Sequence, residues 1–252
     1  MINPSTASPE EINKFNSIAD AWWDPNGDFA LLHRLNPVRL KFARDHLCKH
    51  FLRDPLLPTP LVGLDIIDVG CGGGILTEPI ARMGGLVTGV DAGLENIKIA
   101  RHHAKQVGLK INYLHELPEE LILHEGRYDV VINMEVIEHV ADLNAFLTAT
   151  AELIKPGGVM LLSTINRTWK SLALAKIAAE YLLHWLPIGT HNWENFVKPS
   201  ELIAGLKSTQ VNITDITGIT YNPLEDDWKT SRDISVNYLA FGIKETSKRS
   251  ST

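Results

Sequence analysis

The residues with the most chemical promise fall into two clusters. Asp68-Val69-Gly70-Cys71-Gly72-Gly73-Gly74 sets a carboxylate ahead of four glycines in five positions. Glycine lets the main chain turn sharply and approach a ligand closely, at an entropic cost that a plain turn does not require. Asp91 stands at the end of the next apolar run, Val87 to Val90, where a carboxylate is well placed to accept hydrogen bonds from ribose hydroxyls. The second cluster is Glu135, Glu138 and His139, an E-x-x-E-H run after the apolar segment Tyr128 to Asn133. If a helix starts there, the three side chains share one face. Two carboxylates and an imidazole suit a hard divalent ion such as magnesium, although histidine is an unusual ligand for it. A helix N-terminus complemented by two acids, with a structural histidine, accounts for the same residues equally well. His191, near Trp193 and Phe196, is an alternative base, and an exposed loop histidine is at least as good an account of it.

Elements able to hold these clusters can be read from the patterning. Leu64 to Val69, Val87 to Val90, Ile111 to Leu114, Tyr128 to Asn133 and Val159 to Thr164 are short apolar runs and read as strands. Ile75 to Met83, Leu94 to Gln106 and Leu143 to Ile154 read as the intervening helices. The first two stop at Gly84-Gly85 and Gly108, the third at Lys155-Pro156-Gly157-Gly158. Strands alternating with such helices form βαβ units and a parallel sheet. Val211 to Thr220 and Ser235 to Ile243 have no long helix between them and are expected to pair as an antiparallel edge. Upstream, Ser8-Pro9-Glu10-Glu11 reads as a helix start, with Ser8 as N-cap and Glu11 closing a capping box. Asn36-Pro37 reads as the start of a second helix, and the three prolines of Asp54 to Pro60 as a linker. The expected organisation is an N-terminal helical cap over 1–60 and an α/β domain over 61–252, with a lid-like insertion at about 167–198.

Composition narrows the function classes. The chain has 252 residues, 44% hydrophobic and 21% charged, which fits a folded protein rather than a disordered one. Its net charge of -6 gives no global attraction to nucleic acid. Two cysteines, Cys48 and Cys71, make no disulfide framework and suggest a reducing compartment. The start Met1-Ile2-Asn3-Pro4-Ser5 lacks the basic region and apolar run of a signal peptide, so a cytoplasmic protein is expected.

The glycine loop does not fit a pyrophosphate. In a G-x-G-x-x-G fingerprint the third glycine falls on Ile75 when counted from Gly70, and on Thr77 when counted from Gly72. The order D-x-G-x-G-x-G instead resembles the class I S-adenosylmethionine-dependent methyltransferases, as do Tyr128 to Val140 and Lys155-Pro156-Gly157-Gly158. Further segments resemble the ubiquinone-biosynthesis O-methyltransferases of that class. They are Ala21-Trp22-Trp23-Asp24, Leu32 to Arg39, Gly74-Ile75-Leu76, Ser163 to Arg167, Gly189-Thr190-His191 and Tyr221-Asn222-Pro223.

The resemblance implies a Rossmann-like sheet, mostly parallel with a C-terminal antiparallel strand and helices on both faces. It implies methylation of phenol or catechol hydroxyls on polyprenylated precursors, at both O-methylation steps of ubiquinone synthesis. Implied cofactor contacts are Arg39, Gly70, Asp91 and Met134, joined by Asp68 and Gly72 of the loop. It also supports a magnesium dependence, with Glu135, Glu138 and His139 as ligands. A phenol titrates near pH 10, as tyrosine does, so the protein must help remove the proton. A Lewis-acid metal and a general base, with His139, Glu135 and His191 as catalytic candidates, are the two routes. A methyltransferase with another small acceptor remains the runner-up. A NAD(P) oxidoreductase on the same loop is separable by cofactor calorimetry.

Trp169 to Leu186 is the most apolar helical stretch, with Lys176, Glu180 and His184 as a polar stripe. A buried helix and an interfacial one both give this pattern. Because a polyprenyl tail partitions into the bilayer, the resemblance favours a lid meeting an anionic membrane surface at its inner face. Other proteins of ubiquinone synthesis are possible partners in that setting.

Overall fold

A computed structural model describes residues 6–123, 126–174 and 193–246. The strands are β1 Asp65–Val69, β2 Leu86–Asp91, β3 Asn112–His115, β4 Tyr128–Met134 and β5 Ile154–Ile165. They are followed by β6 Val211–Asn222, β7 Asp227–Ser231 and β8 Asn237–Lys244. The helices are α1 Pro9–Ser17, α2 Ala30–His50, α3 Thr77–Arg82, α4 Leu94–Gln106, α5 Pro118–Leu121, α6 Leu143–Glu152, α7 Trp169–Ser171 and α8 Pro199–Leu206.

The strands form one sheet in the order β3-β2-β1-β4-β5-β8-β6-β7. Strands β1 to β5 pair parallel, whereas β8 runs antiparallel to both β5 and β6. Strand β6 therefore points the same way as β1 to β5. The two C-terminal runs pair antiparallel as expected, β6 with β8, at one end of the sheet, where β8 also joins β5 and β7 is added outside β6. Interior position explains the burial of Tyr238, Leu239, Ala240 and Phe241 in β8.

Alternation along the strands gives each face its own core. On one side Ile66, Val130, Ile132 and Leu161 pack against Leu35, Val38 and Phe42 of α2 and Ile80 of α3. On the other, Ile67, Val131, Met160 and Leu162 pack against Phe146 and Leu147 of α6 and Leu202 and Leu206 of α8. Asp68 and Met134 share the parity of Ile66 and Ile132, so both carry site chemistry toward the α2 side.

Three local expectations change. Pro37 lies inside α2 rather than at its start. The missing N–H and the ring clash cost about 3 kcal/mol in a helix interior. Burial of Leu35, Val38, Phe42 and Leu47 on the sheet offsets that cost and extends the helix back to Ala30. Lys155 to Gly158 lies within β5, where a register irregularity against β4 between Tyr128 and Val130 absorbs the prolyl-glycyl segment. Residues 135 to 139 are a turn, not a helix, because Glu135 takes φ 59° directly after β4.

Tyr238 ties β8 to the chain beyond the insertion, its hydroxyl donating to the Val197 carbonyl at 3.0 Å in a buried setting. Tyr238→Phe leaves that carbonyl without its donor. The expected loss is about 1–2 kcal/mol, read as a lower urea midpoint with an unchanged slope.

Candidate active site

A cavity of about 1220 Å³ lies at the carboxyl ends of β1, β2 and β4, bounded by Asp68 to Gly72, Asp91 to Gly93 and Met134 to Val136. Pockets for single drug-sized ligands span roughly 300–1,000 Å³, so this one has room for two reactants side by side. Much of the rest of its lining is apolar and includes Leu31, Leu35, Ile165, Ile219, Pro223 and Trp228.

Asp91 organises the glycine loop. Its Oδ2 accepts from Gly72 N at 2.9 Å, and its Oδ1 accepts from Gly93 N at 2.7 Å and Asn96 Nδ2 at 3.0 Å. Burial raises the carboxyl above its ordinary range, and these three donors oppose that rise. Gly70 has φ +74°, and a Cβ there would meet Val136 Cγ2 at 2.4 Å. Gly72 has φ +53°, and a Cβ would meet the Trp22 ring at 2.3 Å. Both positions thus require glycine for conformation and for close approach.

Asp68, at the end of β1, is buried and accepts from Thr77 Oγ1 at 2.6 Å. Burial pushes its carboxyl up to about 6, against the pull of Thr77 and Arg39. Arg39 is also buried, and its Nη2 donates to Leu32 O at 3.0 Å and Asn36 Oδ1 at 3.1 Å. Among the described residues its Nε has no hydrogen-bond partner. Burial lowers the pKa of the guanidinium, while Glu135 and Asp68 raise it. A buried arginine with an orphaned donor beside a glycine loop is a fitting seat for an anionic carboxylate. Together with Asp91, it makes this half of the cavity compatible with an aminoacyl nucleoside.

The E-x-x-E-H residues line the turn after β4, but their side chains do not converge. Glu135 Oε1 accepts from Ser163 Oγ at 2.6 Å, and Glu138 Oε2 from Thr164 Oγ1 at 2.8 Å. His139 Nδ1 lies 2.8 Å from Glu11 Oε2, with Phe15 edge-on to the ring at 5.2 Å. The one-face expectation is therefore corrected, since a turn aims neighbours in different directions. Among the described residues no group of three His, Cys, Asp or Glu is placed to hold a metal ion. The donor chemistry nonetheless suits a cation. Glu138 is buried, its Oε1 has no hydrogen-bond partner among the described residues, and burial followed by the Glu135 charge pushes its carboxyl up to about 7. A buried carboxyl raised by a neighbouring negative charge is relieved when a positive charge binds beside it. Metal binding at this turn requires the side chains to leave their present partners.

Arg39, Asp68, Gly70, Gly72, Asp91, Met134, Glu135 and His139 all line the one cavity. His191, and most of the expected amphipathic stretch, lie in 175–192, outside the described residues. Sequence reasoning missed Asn96, Trp22 and Glu11. Asn96 was findable as a polar residue in the first turn of the helix after Asp91. Trp22 entered the sequence reading within the Ala21 to Asp24 segment of the family resemblance, with no role of its own. It instead stacks on Phe29 at 3.7 Å, donates to Asn96 Oδ1 at 2.9 Å and covers the glycine loop.

A family model described as a methyltransferase domain matches residues 40–215. A protein of Paramagnetospirillum magneticum named ubiquinone biosynthesis O-methyltransferase is 50% identical over 97% of this chain and 98% of its own length. One of the same name from Chelativorans is 48% identical, over 97% and 96%. Among solved structures, magnesium protoporphyrin IX methyltransferase from Synechocystis with bound SAH aligns at a TM-score of 0.59. It shares 20% identity and the match covers 92% of this chain and 94% of that one. A possible histamine N-methyltransferase from Thermotoga maritima aligns at 0.61, with 16% identity over 93% and 99%.

Proposed function

The chain belongs to the ubiquinone biosynthesis O-methyltransferases, and from that premise we propose how its cavity methylates a polyprenylated phenol or catechol. It has the class I S-adenosylmethionine-dependent methyltransferase fold. The observation that carries the reading is the union of the two halves in one cavity. The loop with Asp91 and Arg39 lines it together with an apolar surface that includes Ile165, Ile219, Pro223 and Trp228.

When bound, S-adenosylmethionine supplies a methyl group on a sulfonium, open to in-line attack by an oxygen nucleophile. Asp91 accepts from the ribose hydroxyls, Arg39 holds the cofactor carboxylate, and Asp68 accepts from its ammonium. Gly70 and Gly72 allow the main chain to close on the cofactor, and Met134 packs beside it. Strap residues 6–29 cover this half and exclude water, which strengthens each of these contacts.

Glu135 and His139, which line the cavity, serve the acceptor hydroxyl, with the buried Glu138 beside Glu135. The two carboxylates and the imidazole are the residues that would hold Mg²⁺, whose chemistry is to lower the pKa of the hydroxyl as a Lewis acid. His139 and Glu135 are the nearby proton acceptors, and His191 is a third candidate. The organisation into a cap over 1–60, a catalytic domain over 61–252 and a lid at about 167–198 follows the same reading.

The tail of the acceptor must come from the bilayer. Among the described residues no helix is long and apolar enough to cross a membrane. The exposed Trp169 and Leu174, with Lys170, lie at or beside the cavity mouth and suit docking on an anionic inner leaflet. Access through other ubiquinone-synthesis proteins uses the same opening. Turnover with labelled S-adenosylmethionine and a short-tailed demethylated quinol tests the assignment. Transfer to the ring hydroxyl is expected, for both the phenol and the catechol intermediates, and absence of labelled product with either acceptor overturns it.

A further inference from the structure

Glu11 was expected to close the capping box of α1. Ser8 does cap α1, its Oγ accepting from Glu11 N at 3.4 Å. The Glu11 carboxylate, however, reaches 128 positions along the chain to His139, with Oε2 at 2.8 Å from Nδ1. The hydrogen bond from His139 holds the Glu11 carboxyl below its ordinary range. Phe15, one turn on, packs its ring edge-on against the imidazole. One face of α1 thus grips the histidine by both a charge and a ring, and Glu11, Phe15 and His139 all line the cavity.

The segment carrying α1 is itself strapped across the cavity. Thr6 N and Oγ1 donate to Glu119 at 2.8 and 2.9 Å, and Ala141 N donates to Thr6 O at 2.8 Å. Further along, Trp22 Nε1 donates to Asn96 and Trp23 Nε1 to Gly73 O, both at 2.9 Å. The strap touches the glycine loop on one side of the cavity and the E-x-x-E-H turn on the other.

We propose that Glu11 is a positioning residue for methyl transfer, acting through His139. By accepting from Nδ1–H it holds the tautomer whose lone pair is on Nε2. Nε2 in that state is competent to take the hydroxyl proton or to ligate a cation, and both roles need the lone pair. Because Glu11 rides on the strap, the acceptor half is completed by the same segment that closes over the donor half. This rests on the reading of His139 as a residue at the acceptor hydroxyl.

The test pairs kinetics with spectroscopy on the full chain. Glu11→Ala is expected to lower kcat about 10- to 100-fold, with KM for both substrates and S-adenosylhomocysteine affinity within about twofold of wild type. Glu11→Gln keeps an acceptor oxygen and is expected to retain at least about half of kcat. In ¹⁵N-histidine-labelled protein, with His139 assigned by its loss in His139→Gln, wild type is expected to carry its proton on Nδ1 and Glu11→Ala a tautomer mixture. An Nε2–H tautomer in wild type, unchanged kcat in Glu11→Ala, or a fall in kcat matched by lost cofactor affinity overturns the proposal. Wild type that transfers no methyl group defeats the acceptor reading instead. The tautomer measurement does not depend on turnover, so the two failures are distinguishable.

Discussion

Asp91→Asn is expected to weaken S-adenosylhomocysteine binding by at least about 100-fold, measured by calorimetry, because two hydrogen bonds to a charged acceptor are worth about 1.5–3 kcal/mol each. The geometry explains why the isosteric change is not mild. Oδ2 serves Gly72 N, while Oδ1 serves Gly93 N and Asn96 Nδ2. An asparagine places an NH₂ against one of these sides, so a donor faces a donor in a buried site. The ribose loses a charged acceptor and the glycine loop loses its fastening at the same time. Unchanged affinity in a variant that melts like wild type would remove Asp91 from the cofactor site. A fall in melting temperature with unchanged affinity points to a purely structural carboxylate and removes it as well.

The glycine-loop part of the cavity was legible because its geometry is local. A glycine is visible in sequence, and Gly70 and Gly72 proved to need both positive φ and a missing Cβ. Asp68 and Asp91 were placed by the rule that ligands sit at the carboxyl ends of parallel strands. The α4 bounds also follow directly from apolar spacing and the Gly108 stop. What stayed hidden depends on contacts distant in sequence. Nothing near Pro37 announces that α2 continues through it, since the compensating burial lies on β1, β4 and β5. Strand β7 has a half-exposed, polar pattern, Asp227–Ser231, and is held as a strand by its hairpin register with β6.

The acceptor half shows the same division more sharply. The E-x-x-E-H spacing is compatible with a helix, and only the positive φ of Glu135 turns the chain away from one. Glu11 offered a capping-box signature that is physically sound, yet a charge-assisted contact with His139 outcompetes the local bond to its own N-cap. Local rules predicted local partners. The structure departs from them where residues of the N-terminal strap meet residues of the turn after β4, at the point where the proposed chemistry takes place.

Removing divalent cations is expected to lower turnover about 1000-fold at pH 7, because a phenol of pKa near 10 is ionised only to about one part in a thousand there. Cofactor binding should be unaffected, since the residues assigned to it contribute their own donors and acceptors. The chelated enzyme should also change its pH dependence. With no Lewis acid, the rate should climb about tenfold per pH unit between 7 and 9 as the free phenolate fraction rises. The metal-replete enzyme should be nearly flat over that span. Glu138→Gln should reproduce both effects, because it removes one carboxylate of the pair and the orphaned Oε1 available to a cation. If turnover and its pH profile survive chelation, the Lewis-acid route is excluded. The proton then goes to a side chain, and a turnover loss in His139→Gln with intact cofactor binding would identify the imidazole held by Glu11 as that acceptor.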